Sequence, residues 1–217
     1  MSLILGVDES GRGPVIGPLI IAGALIEEEK IGKLKEIGVK DSKLLTPRKR
    51  REIAKKLKKV LKDYLILVIE PEEIDKAVDG DDGLNLNWLE ATKTVEIINK
   101  LKPDKAIIDC PSPNIKAYTD YLKVRLKKDV ELIVAHKADR DFFICGAASI
   151  LAKEKREEEV EKIKKKYGNI GPGYMSNPIT QKFLKENWEK HPEIFRKSWV
   201  SWKNHKDAKN QKKLDDF

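Results

Sequence analysis

Short apolar runs that end on carboxylates constrain this chain more than any other feature. Residues 3–7 (LILGV) run straight into Asp8 and Glu9, residues 106–108 (AII) run into Asp109, and residues 130–135 (VELIVA) are followed four positions later by Asp139. Runs of this length read as buried strands. When strands are joined by crossovers, their carboxyl ends form the edge where ligands sit. Four carboxylates gathered there repel one another unless a divalent cation neutralises them. Oxygen-only donors suit magnesium or manganese, and two such ions can clamp the attacking and leaving oxygens of a phosphodiester. Neighbours on a strand point to opposite faces, so Asp8 and Glu9 converge only if the strand ends between them, and Ser10-Gly11 offers that break. Taken singly, each acid also reads as a cap: Asp109 before Cys110-Pro111, Asp139 just ahead of a helix.

The rest of the chain fits a sheet covered by helices. After the turn at Gly11-Arg12-Gly13, residues 14–26 read as a second strand, bent at Gly17, Pro18 and Gly23. Thr46-Pro47 is a cap and first-turn pair for a helix reaching about Leu61. A third strand is expected from Tyr64 to Ile69. Leu86, Leu89, Val95, Ile98 and Leu101 recur at helical spacing. Further helices are expected over 115–127, 141–166 and 180–189, on either side of a strand at 130–135. The order, antiparallel hairpins first and crossovers later, predicts an α/β fold with a mixed central sheet flanked by helices.

Net charge is +8, with basic clusters at 48–51, 164–166 and 212–213. That balance favours a polyanion, nucleic acid first, over an ordinary solvated face. Cys110 and Cys145 are far apart and without metal-ligand spacing, so both read as reduced. The amino-terminal residues lack a signal-peptide pattern and no run reaches membrane-spanning length, which predicts a cytoplasmic protein with no membrane partner.

The motifs GVDESGRGPVIGPL (6–19), DSKLL (41–45), NWLEA (87–91), IIDCPSP (107–113), HKAD (136–139), AASILAK (147–153) and GPGYMSNP (171–178) together resemble the archaeal-type ribonuclease HII, or type 2 ribonuclease H, family. The resemblance implies a ribonuclease H-like fold. It implies metal-dependent endonucleolytic hydrolysis of RNA in RNA–DNA hybrids and at ribonucleotides embedded in duplex DNA, cutting on the 5′ side to leave 3′-hydroxyl and 5′-phosphate ends. Asp8, Glu9, Asp109 and Asp139 would hold Mg2+ or Mn2+, two ions in the substrate complex. Gly11, Arg12 and Gly13 match the segment that recognises the ribonucleotide, and Tyr174 the tyrosine that stacks on sugar at the RNA–DNA junction. Glycines allow backbone to approach a 2′-hydroxyl, the group that tells RNA from DNA. Ser42, Lys43 and Lys137 are expected to support phosphate, with His136 in a supporting role. The chain departs from the family pattern at Phe142-Phe143, Glu157, Met175 and Asn177, none of them an expected metal ligand.

The chain ends in QKKLDDF. Gln211, Leu214 and Phe217 resemble a peptide that docks on a PCNA-type sliding clamp, although a second terminal aromatic is missing. The expected division is a catalytic domain over 1–190, a basic helical extension over 191–210 and a clamp-binding tail over 211–217, acting as a monomer. Two other readings compete: a non-catalytic hybrid-binding protein, which four carboxylates near phosphate argue against, and a general two-metal phosphoesterase, against which Tyr174 and the Gly11–Gly13 segment argue.

Overall fold

The structure, a computed structural model, describes residues 2–39, 45–80 and 84–215, with side chains through residue 208. The chain forms two compact units, each assembled from separated stretches. Met1–Ser10, Ile20–Val68 and Asn87–Arg156 make the first; Gly11–Leu19, Ile69–Leu86 and Glu157–Phe217 make the second. No helix among the described residues is long and apolar enough to cross a membrane.

The first unit carries a five-stranded sheet in the order β3-β2-β1-β4-β5. Strand β1 (Leu3–Ser10) pairs antiparallel with β2 (Leu19–Glu27), placing Ser10 opposite Ile20. On its other side β1 runs parallel to β4 (Lys105–Asp109), and β4 parallel to β5 (Glu131–Ala135). Parallel neighbours need long connections. Helix α4 (Leu86–Leu101) leads into β4, and α5 (Ile115–Lys123) joins β4 to β5. The β1–β4 register sets Val7 beside Ile108, so its continuation brings Asp8 level with Asp109. Register alone therefore gathers two of the acids.

Strand β2 begins at Leu19, not at residue 14 as its apolar run predicts. Pro14 and Pro18 have no N–H to offer a ladder, and Gly17 turns at φ +86°. Nor do β2 and β3 (Asp63–Ile69) form a hairpin, because α1 (Ile31–Glu36) and α2 (Pro47–Val60) intervene. Thr46 caps α2, its hydroxyl accepting from the Lys49 amide at 3.3 Å. Of the basic cluster on this helix, Arg50 is buried and bonded to Glu154 at 2.9 Å, so it serves the fold.

Helix α7 (Phe143–Tyr167) presents Ala147, Ala148 and Ser149 as fully buried small residues. They allow close packing, and the closest point is backbone on backbone: a Cβ on Gly6 of β1 would overlap the Ile144 carbonyl. The core of this unit joins Ile20, Ala22 and Ile26 of β2, Ile53 and Leu57 of α2, and Ile144, Ala148 and Leu151 of α7.

The second unit has its own core of Val15, Ile16, Val160, Ile170, Phe183, Leu184, Phe195 and Trp202. Its helices are α3 (Pro71–Asp79), α8 (Pro178–Asn187), the carboxyl-terminal part of α7, and α9 (Val200–Asp215). Asn177 caps α8 by accepting from the Ile179 amide at 2.9 Å. Residues 14–18, lost to β2, are stitched to the stretch before α9: the Gly17 amide donates to Ile194 and the Arg196 amide to Val15, each at 2.9 Å. Helix α9 runs on to Asp215. Gln211 and Leu214 thus stand on helical backbone, their side chains outside the description, while Ser42, Lys43 and Phe217 lie outside the described residues.

Candidate active site

Three of the four expected carboxylates converge. Ligand oxygens of Asp8, Asp109 and Asp139 all lie within 4.8 Å of one another, and Asp8 and Asp139 are each only 5% exposed. Glu9 is not part of this group. Strand β1 does not end between Asp8 and Glu9; both keep their ladder partners, Ala22 and Ile21, so alternation turns them to opposite faces. Asp8 takes a hydrogen bond from Ser149 on α7, while the charge of Glu9 acts on Tyr118 of α5. The two stay linked, because the Glu9 amide donates to Asp8 Oδ1 at 2.7 Å.

Burial, above all, holds the Asp8 carboxyl well above the ordinary range, and the neighbouring charges of Glu9 and Asp109 push the same way. The bonds from Ser149 and the Glu9 amide oppose this without overcoming it. A dry carboxyl among carboxylates favours a proton or a cation.

Asp139 reaches the group through the turn after β5. His136 Nδ1 sits 3.0 Å from the Cys110 carbonyl, and the Ala138 amide donates to Asp109 Oδ1 at 3.2 Å. Between them Lys137 adopts φ +60°, a left-handed conformation that is uncommon for a side-chain-bearing residue. The turn then opens into the short helix α6 (Ala138–Asp141). Lys137 itself is exposed.

The donors fit a hard divalent cation: oxygens alone, mostly buried and mutually repelling. Cys145 adds no ligand. Its thiol donates to the Ile107 carbonyl at 3.1 Å, and burial pushes it well up, so it stays protonated.

Gly11, Arg12 and Gly13 belong to the second unit, where Gly11 turns at φ +86°. Their carbonyls are bound by residues that sequence reasoning passed over. Arg196, fully buried, donates Nη2 to Gly11 at 2.6 Å, Nη1 to Arg12 at 2.9 Å and Nε to Gly17 at 2.9 Å. Trp199 Nε1 donates to the Gly13 carbonyl at 3.2 Å, and its ring lies under the Arg196 guanidinium, 4.9 Å from centroid. The hint was a lone arginine inside EIFRKSW, a stretch otherwise rich in apolar and aromatic residues.

Tyr174 stands beside this loop. A Cβ on Gly13 would sit 3.6 Å from the Tyr174 ring, which is 38% exposed. The Gly173 carbonyl accepts from the Val15 amide at 2.9 Å. Buried Thr180 accepts from the Gly173 amide at 3.1 Å and donates to the Ile170 carbonyl at 2.8 Å, fixing the turn that carries the tyrosine. Asn177, one of the departures from the expected pattern, caps α8 next to it.

Residues 5–202 match the family model described as Ribonuclease HII. The ribonuclease HII of Pyrococcus horikoshii is 42% identical over 221 aligned residues, covering 99% of this chain and 98% of that protein. The crystal structure of the ribonuclease H2 from the same organism superposes with a TM-score of 0.87 at 41% identity, covering 95% of this chain and 98% of that one. The ribonuclease HII of Archaeoglobus fulgidus, solved as a complex with PCNA, gives a TM-score of 0.83 at 34% identity, covering 91% and 95% of the two chains.

Proposed function

The chain belongs to the ribonuclease HII family, metal-dependent endonucleases that cleave RNA in RNA–DNA hybrids and at ribonucleotides embedded in DNA, and from that premise we propose how its residues divide the work. The observation that carries the reading is the group of Asp8, Asp109 and Asp139 with oxygens inside 4.8 Å. These three would hold a magnesium or manganese ion. Bound there, the cation relieves their repulsion and supplies Lewis acidity to the scissile phosphodiester and the attacking water. Glu9, whose charge acts on Asp8, would help to hold a second ion. Ser149 orients the Asp8 carboxyl, which burial and the neighbouring charges bias towards its protonated form and a cation would bias back. The Ala138 amide does the same for Asp109, and exposed Lys137 meets phosphate.

In the second unit, the Gly11-Arg12-Gly13 loop reads the 2′-hydroxyl and Tyr174 packs on the adjoining sugar. The nearness of Gly13 to the Tyr174 ring, which a Cβ on the glycine would approach to 3.6 Å, supports giving them one nucleotide to share. Cleavage on the 5′ side of the ribonucleotide follows from the family likeness. The tail QKKLDDF is proposed to dock on a PCNA-type clamp, supported by the Archaeoglobus fulgidus complex.

The test is an end-labelled DNA duplex with one ribonucleotide, incubated with magnesium or manganese and mapped at nucleotide resolution. One cut on the 5′ side is expected, absent with Asp109→Asn and weakened with Tyr174→Ala. Equal cutting of an all-DNA duplex would replace this reading with a general phosphoesterase. Removing residues 211–217 is expected to abolish clamp binding and leave cleavage intact.

A further inference from the structure

The positive charge of this chain is not spread evenly. Helix α2 exposes seven cations and a single acid, Glu52, a net of +6 on one helix against +8 for the whole chain. Elsewhere basic runs are answered locally. The run at 164–166 follows Glu157, Glu158, Glu159 and Glu161, and Lys162 and Lys164 pair with Glu159 and Glu161, each at 2.8 Å. On α2 the one exposed acid serves both Arg48 and Lys49, at 3.4 and 3.8 Å. The side chains of Lys55, Lys56 and Lys59 form no ion pair or hydrogen bond among the described residues.

Lys55 and Lys59 stand four positions apart, where like charges destabilise a helix. The opposite side of α2 offsets this: Ile53, Ala54 and Leu57 are buried in the core, and buried Arg50 is bonded to Glu154 of α7 at 2.9 Å. A face whose only work is solvation does as well with both signs interspersed. The Arg50 anchor also sets α2 near the metal-binding acids. Glu154 stands five positions beyond Ser149, about 7.5 Å along α7, and Ser149 bonds Asp8. All of these residues belong to the first unit.

We infer, resting on the ribonuclease HII reading for the ligand, that the exposed face of α2 is a docking surface for the phosphate backbone of the duplex flanking the ribonucleotide. The acids of the metal site repel phosphate, so the attraction that draws a duplex in comes from elsewhere on the protein. Lysine ammonium groups on flexible stems hold phosphates as point charges and read no bases. Fourteen residues of helix span about 21 Å, the length of about six base pairs at 3.4 Å each. An anionic membrane also offers charge, but a helix lying on lipid buries an apolar face there, and the apolar side of α2 is taken up by the core. Contact of this kind is blind to the 2′-hydroxyl. It holds DNA and hybrid alike and leaves the choice of ribonucleotide to other residues.

The experiment measures binding of an all-DNA duplex to the full chain across a series of salt concentrations. One variant carries Lys55→Gln, Lys56→Gln and Lys59→Gln, which remove three charges and keep a good helix former at each position. A second carries Lys123→Gln, Lys127→Gln and Lys128→Gln, the same change of charge on exposed residues beside β5, at the sheet edge opposite β3. Circular dichroism checks folding. Each phosphate contact contributes about 0.9 to the slope of log affinity against log salt. The α2 variant is expected to lose about 2–3 of that slope and to bind roughly tenfold more weakly at low salt, with the β5-edge variant close to the unsubstituted chain. On a duplex with one ribonucleotide its KM should rise by a similar factor, with kcat and the position of the cut unchanged. A folded α2 variant that keeps the full slope overturns the inference. So does an equal loss in the β5-edge variant, which would make the charge a diffuse field. Lost binding to phosphatidylserine vesicles, with DNA affinity kept, would give the face to a membrane instead. If the unsubstituted chain makes no 5′ cut, the ribonuclease reading fails, and the salt series on DNA still decides for or against α2.

Discussion

The carboxylate group of the first unit and the glycine loop of the second solve opposite problems. The loop has an excess of peptide oxygens and meets each with an internal donor from Arg196 or Trp199. It is ordered before any ligand arrives. The carboxylates differ: at Asp8 the Ser149 hydroxyl and the Glu9 amide do not offset burial and neighbouring charge, and its carboxyl stays raised. One region has its polar groups satisfied internally, and the other carries buried, mutually repelling charge that a cation would relieve. Where function needs geometry, the fold satisfies the polar groups; where it needs charge to hold a cation, the fold leaves a deficit.

That contrast breaks most visibly at Asp8. Asp8→Asn is expected to lower cleavage on the order of 10³-fold, the scale of losing one electrostatic element of such a site. The same change should raise the melting temperature of metal-free protein at neutral pH. A carboxyl whose folded pKa lies above its unfolded value loses folding free energy as pH climbs through that interval, and the amide removes the loss. At this chain length each kcal/mol gained appears as about 2–4 °C. Saturating magnesium should erase the gain, which calorimetry with and without the metal would reveal. A metal-free melting temperature that falls would show that the group is not charge-strained.

In the loop's unit the sign reverses. Thr180→Val keeps the shape but strands the Gly173 amide and the Ile170 carbonyl, both partners of the buried hydroxyl. A loss of about 1–3 kcal/mol is expected in chemical denaturation, with the magnesium dependence of cleavage unchanged. Ser149→Ala touches the carboxylates more gently. Removing a hydroxyl that orients a ligand typically weakens metal affinity 10–100-fold, and the low end, about tenfold more magnesium for half-maximal rate, is expected here. A titration of rate against metal would settle it.

The smallest effect is on pH. Cleavage should fall on acidification through the raised Asp8 pKa, hence above the usual aspartate value of 3.8, as the proton displaces the cation. Raising magnesium tenfold should move that midpoint down by about one unit if binding displaces one proton, and by less if it displaces more. A midpoint indifferent to magnesium would separate the acid limb from metal binding.

The acids were legible in sequence because a strand's carboxyl end is a local feature: residues 3–7, 106–108 and 131–135 became strands, parallel register set Asp8 level with Asp109, and the turn after β5 brought in Asp139. The separation of Glu9 from Asp8 was less so. Alternation gave the warning, but where β1 ends depended on the partner β2 still pairing at Ile20. Residues 14–18 failed as a strand through their prolines, a signal present in the sequence and outweighed by apolar content. Arg196 was invisible for another reason. Its significance lies in carbonyls, which every residue has, so no side-chain motif marks the acceptors. Interleaved units likewise follow from contacts between distant stretches that composition does not record.

The bond between Arg196 and Gly11 spans 185 positions of sequence. On a ribosome the chain emerges from its amino terminus, and units form as their residues appear. Asp8, Asp109 and Asp139, with Ser149 behind Asp8, are all made by position 149, whereas the glycine loop waits for residues 196–199. The catalytic acids are thus synthesised dozens of residues ahead of the last part of the loop's support. A message cut short between those points encodes the three carboxylates without the donors that hold the glycine loop.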